Sequence, residues 1–369
     1  MYWKKNLKKN ITTIEELNKF ISFDRKDVKT LRKVIKRHPM SISRSYLSLI
    51  DPADPDDPLR KIVVPSKYEM NILGSYDTSG EKHNTKFLGF QHKYPQTVLI
   101  LSTQQCASYC RFCFRKRLVG ISKKEIFNNL DRAVNYIKEH PEVNNILISG
   151  GDPLVLSNRV LRNFLEIFSS LPQLDFIRFG TKVPVYHPER IAQDEELLEI
   201  LEQHNHKKQI YFVLQIDHPR EISSELIEAV QCLKKIGIII NNQTVLLKGV
   251  NDDPEVMAKL QNQITSIGIN PYYVFQCRPV KRVKKHFQIP VYEGYRIIEK
   301  AKTKLNGHSK RFRYVMSHKT GKIEILGPIN DKMIFKYHQA KEARDQGKMF
   351  VRKLSKTAGW LDEFPAVKN

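Results

Sequence analysis

The sequence predicts an α/β fold, a partial (β/α)6 TIM-like barrel with a helical region before it and an extension after it. Six apolar segments of strand length alternate with six segments of helical periodicity from residue 96 onward. Polar or unusual residues follow one strand after another, at the edge where parallel α/β folds place their chemistry. These residues are the three clustered cysteines, 150–153, Lys182, 217–218, Gln243 and 277–278.

Residues 1–90 form the predicted helical N-terminal region. Ile14, Leu17 and Phe20 recur at helical spacing, and so do the apolar residues of 28–35, which indicates two or three short helices. The run Asp51–Pro58 (DPADPDDP) cannot continue a helix. Residues 59–95 show few clear periods and are predicted to be irregular.

The predicted barrel covers residues 91–306. Its strands are expected at 98–103, 145–149, 176–179, 210–216, 236–243 and 272–276. Its helices are expected at 122–139, 158–170, 191–203, 223–235, 254–266 and 291–305. The first of these helices has Ser122 as its expected N-cap and Glu125 in the capping-box position.

The C-terminal extension is predicted over residues 307–369. Residues 311–316 and 322–326 are read as two strands around a turn at 318–321, and residues from 331 onward as helical.

The charge is strongly positive, at +23. Runs of lysine and arginine are usually solvated faces, and no aromatic residues interleave these runs, so nucleic acid is not the expected partner. No apolar segment follows the basic start Met1–Lys5, and no run is long enough to span a membrane, so a cytoplasmic protein is expected.

Three thiols stand within eight residues, at Cys106, Cys110 and Cys113, before the basic run Phe114–Arg117. Thiolates bind soft metals and iron–sulfur clusters. Three close ligands suit a four-iron cluster with one iron left open to bind a small molecule. The alternatives are chance clustering, a zinc site completed by a distant histidine, and a disulfide beside one free thiol.

The CxxxCxxC spacing, with Phe112 before the last cysteine, resembles the signature of the radical SAM enzymes. In that family the open iron binds S-adenosylmethionine, and one electron from the cluster releases a 5′-deoxyadenosyl radical. The stretch Ser149–Pro153 is similar to the family's glycine-rich motif, so the resemblance assigns Gly150, Gly151 and Asp152, with Gln243 in addition, to S-adenosylmethionine.

The match narrows to the lysine 2,3-aminomutase family through motifs that follow one another in order. These are His92–Pro95, CRFCFRKR, SGGDPL, Gly180–Val185, His218-Pro219, Asn242–Asp252, Pro271–Tyr273 and Gln276-Cys277. The family moves an amino group between C2 and C3 of an amino acid through a pyridoxal phosphate imine. Arg115 occupies the position of the arginine that pairs with the substrate carboxylate, and Lys93 could meet the cofactor phosphate.

Departures from the family pattern bear on the substrate and on pyridoxal phosphate. Arg278 stands where lysine-specific members have an aspartate, which disfavours free lysine and favours an acidic side chain such as that of glutamate. Lys322 is the expected Schiff-base lysine, and Lys319 is second. The cysteines that bind zinc in some members are absent, so any homo-oligomer is expected to form without zinc.

The resemblance implies a small amino-acid substrate and an electron donor such as flavodoxin or ferredoxin. Two other functions remain open from the residues. One is radical modification of a lysine on a protein such as a translation factor. The other is a non-catalytic iron–sulfur or RNA-binding protein.

Overall fold

A computed structural model describes residues 2–366 of the chain. Six helices occupy the N-terminal region: α1 (Tyr2–Leu7), α2 (Ile14–Leu17), α3 (Arg25–Arg37), α4 (Arg44–Leu47), α5 (Pro58–Val63) and α6 (Glu81–Asn84). A 3-10 turn covers Lys67–Met70, and two short strands follow, β1 (Thr85–Phe87) and β2 (Phe90–Tyr94). Residues 59–95 therefore contain more helix and strand than the sequence predicted. Asp57 and Ser66 are N-caps of helical turns that are too short to show a repeat of apolar residues.

The centre of the fold is a run of parallel strands. They are β3 (Thr97–Leu101), β4 (Asn145–Ser149), β5 (Phe176–Thr181), β6 (Gln209–Leu214), β7 (Ile239–Leu246), β8 (Asn270–Gln276) and β9 (Arg313–His318). The first six confirm the predicted barrel strands, with ends that move by a few residues. The seventh, β9, was predicted as a strand of the C-terminal extension, and it continues the parallel sheet.

Helices lie between these strands. They are α7 (Leu130–Glu139), α8 (Asn158–Ser169), α9 (Val183–Tyr186), α10 (Glu189–Ala192), α11 (Glu195–Asn205), α12 (Ser224–Lys235), α13 (Pro254–Ser266), α14 (Lys284–Phe287) and α15 (Val291–Lys302). Shorter 3-10 turns cover Pro153–Val155, Pro219–Glu221, Ala343–Asp345 and Leu361–Glu363.

The helix predicted from residue 122 begins only at Leu130, where Asn129 accepts a hydrogen bond from the Arg132 N–H. The prediction of Glu125 as a capping residue was wrong, because its carboxylate pairs with Arg117 at 2.8 Å instead.

The C-terminal part is antiparallel. β9 and β10 (Gly321–Ile329) form the predicted hairpin, and β11 (Lys332–Ala340) and β12 (Met349–Lys353) complete one sheet of twelve strands in sequence order. The prediction of helix after residue 331 was wrong, because Met333 and Phe335 alternate with outward residues along a strand and pack into the core.

The sheet curls so that β2 approaches the β9–β10 hairpin. Among the residues described, β2 forms no ladder with β9 or β10, yet the Lys93 ammonium donates to the His318 carbonyl at 2.5 Å. Separately, the loop before α6 is bridged to the loop after β8, where the Ser75 N–H donates to the Pro279 carbonyl at 3.0 Å. We call the contact between β2 and the β9–β10 hairpin the seam. No helix within residues 2–366 has the length and apolarity to cross a bilayer.

Candidate active site

The cysteine loop follows β3, and residues of the N-terminal region form hydrogen bonds with it. Asn10 donates to the Ala107 carbonyl at 2.6 Å, and the Tyr109 N–H donates to the Ser41 carbonyl at 2.9 Å. The Arg111 N–H reaches the Ile62 carbonyl at 2.7 Å. The main-chain groups of the loop thus form hydrogen bonds with residues distant in sequence. These bonds fix the path of the loop without involving its thiols.

The three thiols are free and half-buried. Within the described part of the chain, three ligand atoms of histidine, cysteine or carboxylate lie within 4.8 Å of one another only at His92, His140 and Glu142. Ligand sulfurs of one tetrahedral zinc ion are about 3.8 Å apart, from the usual Zn–S bond length. The three cysteine sulfurs do not all lie within 4.8 Å of one another, although they stand on one short loop.

A buried ion network lies beneath the loop. The Glu69 carboxylate is fully buried and accepts from the Arg111 guanidinium at 2.8 and 2.7 Å and from the Lys116 ammonium at 2.7 Å. Burial alone would raise the pKa of Glu69, but the two cations lower it to about 2. Both cations belong to the cysteine segment, so this carboxylate fastens that segment to the N-terminal region.

Gly150 and Gly151 bring the end of β4 against the cysteine loop. A Cβ on Gly150 would lie 2.5 Å from the Thr103 carbonyl oxygen, and one on Gly151 would lie 2.1 Å from that of Gln105. Only glycine permits this approach. The Gly151 N–H donates to Thr103 at 2.5 Å, so the glycines position the loop that carries Cys106.

Asp152 is buried, and its carboxylate is engaged with protein groups. It accepts from the Thr181 hydroxyl at 2.7 Å, from the Lys182 N–H at 2.7 Å and from the Leu154 N–H at 3.1 Å. Burial raises the pKa of Asp152 to about 6 although these donors favour the carboxylate. The side chain thereby ties the end of β4 to the end of β5.

A second buried ion network lies where β5 and β6 end. The Lys182 ammonium contacts Asp217 at 2.7 Å and Glu221 at 2.9 Å. The Tyr46 hydroxyl donates to Glu221 at 2.7 Å. Beside this network the Tyr186 hydroxyl lies 3.0 Å from the Cys110 sulfur, so the network reaches the cysteine loop.

Arg115 is buried next to the glycines. Its Nε donates to Glu81 at 3.1 Å, and one terminal nitrogen lies 3.3 Å from both the Ser149 hydroxyl and the Gly150 carbonyl. Its other terminal nitrogen makes no hydrogen bond to the described residues. Glu81 also accepts from Arg117 at 2.6 Å. Burial would raise the pKa of Glu81, but the two arginines lower it to about 2, so it is a carboxylate.

Arg278 and Lys93 both contact Ser79. The Arg278 guanidinium donates to the Ser79 hydroxyl at 2.8 Å, and the Lys93 ammonium is 3.4 Å from the Ser79 carbonyl. Burial lowers the pKa of Lys93 to about 7, with the charge of Arg278 adding to the effect, and burial lowers the pKa of Arg278 to about 10. In the part of the chain described, neither cation has a carboxylate within salt-bridge distance.

Lys322 projects from β10 over the ring of Tyr273, with its ammonium 4.2 Å from the ring centroid. Burial lowers the pKa of Lys322 to about 7, and the nearby positive charges of Arg178, Lys93 and Arg278 lower it further. A neutral amine can attack a carbonyl, so Lys322 has the chemistry of a Schiff-base lysine.

Lys319, the second candidate, lies in the turn before Lys322. Its side chain is 60% exposed and 3.4 Å from the Asp362 carboxylate. Lys319 therefore lies at the surface and is paired with a carboxylate, unlike Lys322. Gln243 is half-buried in β7, in register with Tyr273 of β8, and its side-chain amide makes no hydrogen bond to the described residues.

The chain is similar to known proteins over most of its length. The sequence profile of the Radical SAM superfamily matches residues 100–260. A protein of Aquifex aeolicus (strain VF5) with the provisional name L-lysine 2,3-aminomutase is 40% identical over 336 residues, which are 90% of this chain and 90% of that protein. The L-lysine 2,3-aminomutase of Clostridium subterminale is 35% identical over 313 residues, 84% of this chain and 73% of that protein. The chain belongs to the lysine 2,3-aminomutase family.

The relatives of this aminomutase family member differ in the substrate that they are named for. The glutamate 2,3-aminomutase of Clostridioides difficile (strain 630) is 33% identical over 299 residues, which are 80% of this chain and 69% of that protein. Among solved structures, a radical SAM methyltransferase from Sphaerobacter thermophilus matches 61% of this chain and 68% of its own, at 17% identity and a TM-score of 0.42. That similarity is too low to inform function.

Membership establishes the class of chemistry. The chain is an enzyme, a radical SAM isomerase of the aminomutase type, and its cofactors include a [4Fe–4S] cluster and S-adenosylmethionine. Sequence reasoning missed three residues at this site: Glu81, Arg178 and Tyr186. Of these three residues, only Arg178 could have been noticed in the sequence, because it is the one charged residue in the apolar strand 176–179. Glu81 lies in the stretch that was predicted to be irregular.

Proposed function

We propose that this aminomutase uses pyridoxal phosphate bound through Lys322 and acts on an amino acid with an acidic side chain, such as glutamate. The observation that carries the proposal is the position of Lys322, whose side chain lies over the Tyr273 ring and near Arg178, Lys93 and Arg278, with no carboxylate at salt-bridge distance among the described residues. The charges of Arg178 and Arg278 in this space favour anionic ligands. A cofactor phosphate and substrate carboxylates are such ligands.

Pyridoxal phosphate, when bound, would hold the migrating amino nitrogen and let it pass between adjacent carbons. For this group the chain offers the neutral Lys322 amine and the flanking ammonium of Lys93. Lys93 donates to two backbone carbonyls, which fixes its position at the seam. We assign it to the cofactor phosphate.

The substrate carboxylates are assigned to the two buried arginines. Arg115 has one terminal nitrogen free of hydrogen bonds to the described residues, which suits the α-carboxylate. Arg278 is assigned to the side-chain carboxylate. Because Arg278 has no carboxylate within salt-bridge distance among the described residues, a lysine substrate would place its ammonium next to a cation without a direct partner.

For S-adenosylmethionine we assign the backbone of Gly150 and Gly151, which lies against the cysteine loop. Asp152 contributes by holding the ends of β4 and β5 together, and Gln243 offers an amide without a protein partner among residues 2–366. Cys106, Cys110 and Cys113 are assigned as the cluster ligands.

The test is anaerobic reconstitution with iron, sulfide and pyridoxal phosphate, followed by borohydride reduction and peptide mapping. We expect the reduced adduct on Lys322, its loss in Lys322→Ala and its retention in Lys319→Ala. Conversion of L-glutamate, and not of L-lysine, to the 3-amino isomer would support the substrate assignment. Cleavage of S-adenosylmethionine without any adduct would overturn the pyridoxal proposal, and activity on a protein lysine alone would overturn the substrate class.

A further inference from the structure

One of the three cysteine sulfurs has a side-chain hydroxyl within hydrogen-bonding distance. The Tyr186 hydroxyl lies 3.0 Å from the Cys110 sulfur. No side-chain hydrogen bond reaches Cys106 or Cys113 from the residues that the structure describes. Tyr186 is 1% exposed and ends α9, the turn that follows Lys182 at the end of β5.

The direction of this hydrogen bond follows from the chemistry of a cluster ligand. A cysteine bound to iron is a thiolate and has no proton to give. The phenol must therefore donate and the sulfur accept. The Tyr46 ring packs edge-on against the Tyr186 ring, with centroids 4.9 Å apart, but its own hydroxyl is committed to Glu221 at 2.7 Å. Tyr46 therefore does not form a hydrogen bond with the Tyr186 hydroxyl, which can donate to the sulfur.

We infer that Tyr186 raises the reduction potential of the cluster by donating a hydrogen bond to the Cys110 ligand. Reduction adds one electron from a low-potential donor to the cluster and makes its sulfurs more negative. A hydrogen bond to such a sulfur stabilises the reduced form more than the oxidised form. The cluster is therefore easier to reduce with the hydroxyl in place, and reduction is the step that precedes cleavage of S-adenosylmethionine.

The phenol is held in this position by its surroundings. The Lys182 ammonium lies 5.3 Å from the centroid of the Tyr186 ring and 5.8 Å from that of Phe112, inside the cysteine motif. Lys182 is fixed by its contacts with Asp217 and Glu221. The ring is thus packed on two sides, so its hydroxyl stays aimed at Cys110 as the cluster changes charge.

The experiment is an EPR-monitored redox titration of the cluster-loaded full-length protein, without S-adenosylmethionine or pyridoxal phosphate. For Tyr186→Phe we expect full iron and sulfide content and a more negative midpoint. At a fixed potential the ratio of reduced to oxidised cluster should fall by roughly tenfold, which is about 59 mV for a one-electron couple. Tyr46→Phe, which removes the neighbouring hydroxyl, should leave the midpoint unchanged.

An unchanged midpoint in a fully loaded Tyr186→Phe protein would overturn the inference, and so would an equal shift in Tyr46→Phe. If Tyr186→Phe does not assemble a cluster, 3-fluorotyrosine placed at position 186 provides the test. Its phenol is a stronger donor of nearly the same size, so the midpoint should become more positive, and no shift would overturn the inference. Because neither substrate nor pyridoxal phosphate is present, the result is independent of the proposed function.

Discussion

The guanidinium of Arg278 lies over the ring of Phe114, with its central carbon 4.0 Å from the ring centroid. Phe114 directly follows the cysteine Cys113, and Arg115 packs against the same ring at 4.6 Å. The side chain assigned to the substrate is therefore in contact with the segment that carries the cluster. Arg278 and Arg115, the two arginines assigned to the substrate carboxylates, therefore lie against the same aromatic ring. That ring belongs to the segment whose cysteines are assigned to the cluster.

Replacing Arg278 with aspartate should reverse the preference for the charge of the substrate side chain. The new carboxylate would repel an acidic side chain and attract an ammonium in a site with little water. A lost buried charge pair costs about 2–5 kcal/mol, so kcat/KM for glutamate should fall by at least ~30-fold. Steady-state kinetics with glutamate and lysine measure the change. Arg344→Asp, on the exposed surface, is the matched control, and an unaltered preference in Arg278→Asp would contradict the assignment.

Formation of the Lys322 adduct should depend on pH in a narrow range. Because burial lowers the pKa of Lys322 to about 7, the neutral amine accumulates as pH rises through 7 rather than near the ordinary value for lysine. The observed rate of adduct formation should rise between about pH 6 and 8 and then level off. Stopped-flow absorbance gives the rate. A rate that still increases steeply above pH 9 would contradict a buried, neutral Lys322.

The same lysine should make the apoprotein more stable as pH rises. Between the folded pKa, near 7, and the ordinary pKa of 10.5, the unfolded chain holds a proton that the folded chain does not. The free energy of unfolding therefore increases with pH across this window and is lowest below pH 7. Lys322→Met should remove this dependence and should stabilise the apoprotein most at pH 6. Urea unfolding at pH 6 and pH 9 measures both effects, and parallel changes in the two proteins would contradict them.

Glu69→Gln should destabilise the protein strongly. It leaves the Arg111 and Lys116 cations buried without their carboxylate, and breaking a buried ion pair costs about 3–5 kcal/mol. Urea unfolding of the apoprotein measures the change. The control is Glu15→Gln, which breaks a 2.6 Å pair with Arg32 at a site where both side chains are more than half exposed. Solvent screens that pair, so the control should stay close to wild type.

Gly151→Ala should impair cluster assembly. The added Cβ would lie 2.1 Å from the Gln105 carbonyl oxygen, and the carbonyl carbons of Gln105 and Gln104 would lie 2.7 and 2.9 Å away. We expect the loop before Cys106 to shift and the iron and sulfide content after reconstitution to drop several-fold. Gly307→Ala is the control, because a Cβ there meets nothing within 4 Å. Equal iron content in the two variants would show that the close approach is not needed.

Much of the barrel could be predicted because its strands carry their own signal. Apolar runs such as 146–148 stand between segments of helical periodicity, and they are strands in the structure. The three cysteines were found in the same way, from local spacing. The later strands β11 and β12 were missed because charged residues flank their short apolar runs. Pairing of β11 with β10 and of β12 with β11 decides their structure.

The partners of the predicted site residues could not be read from the sequence. Glu81 precedes Arg115 by 34 residues, and Tyr186 follows Cys110 by 76, so only the folded barrel brings each pair together. Arg278 was recognised by comparison with a family pattern, but its contact with Phe114 depends on where β8 ends relative to β3. Lys322 was separated from Lys319 by burial, which depends on the direction of each side chain in the hairpin.

The seam between β2 and the β9–β10 hairpin has a consequence for access. Every other junction in the barrel is a ladder of main-chain hydrogen bonds, whereas here the Lys93 ammonium contacts the His318 carbonyl at the end of the strand before Lys322. Separating the hairpin from β2 at this point breaks side-chain contacts and no strand pairing. The wall of the barrel is therefore not continuous here, and a cofactor phosphate bound at Lys93 would compete with the His318 carbonyl for the same ammonium.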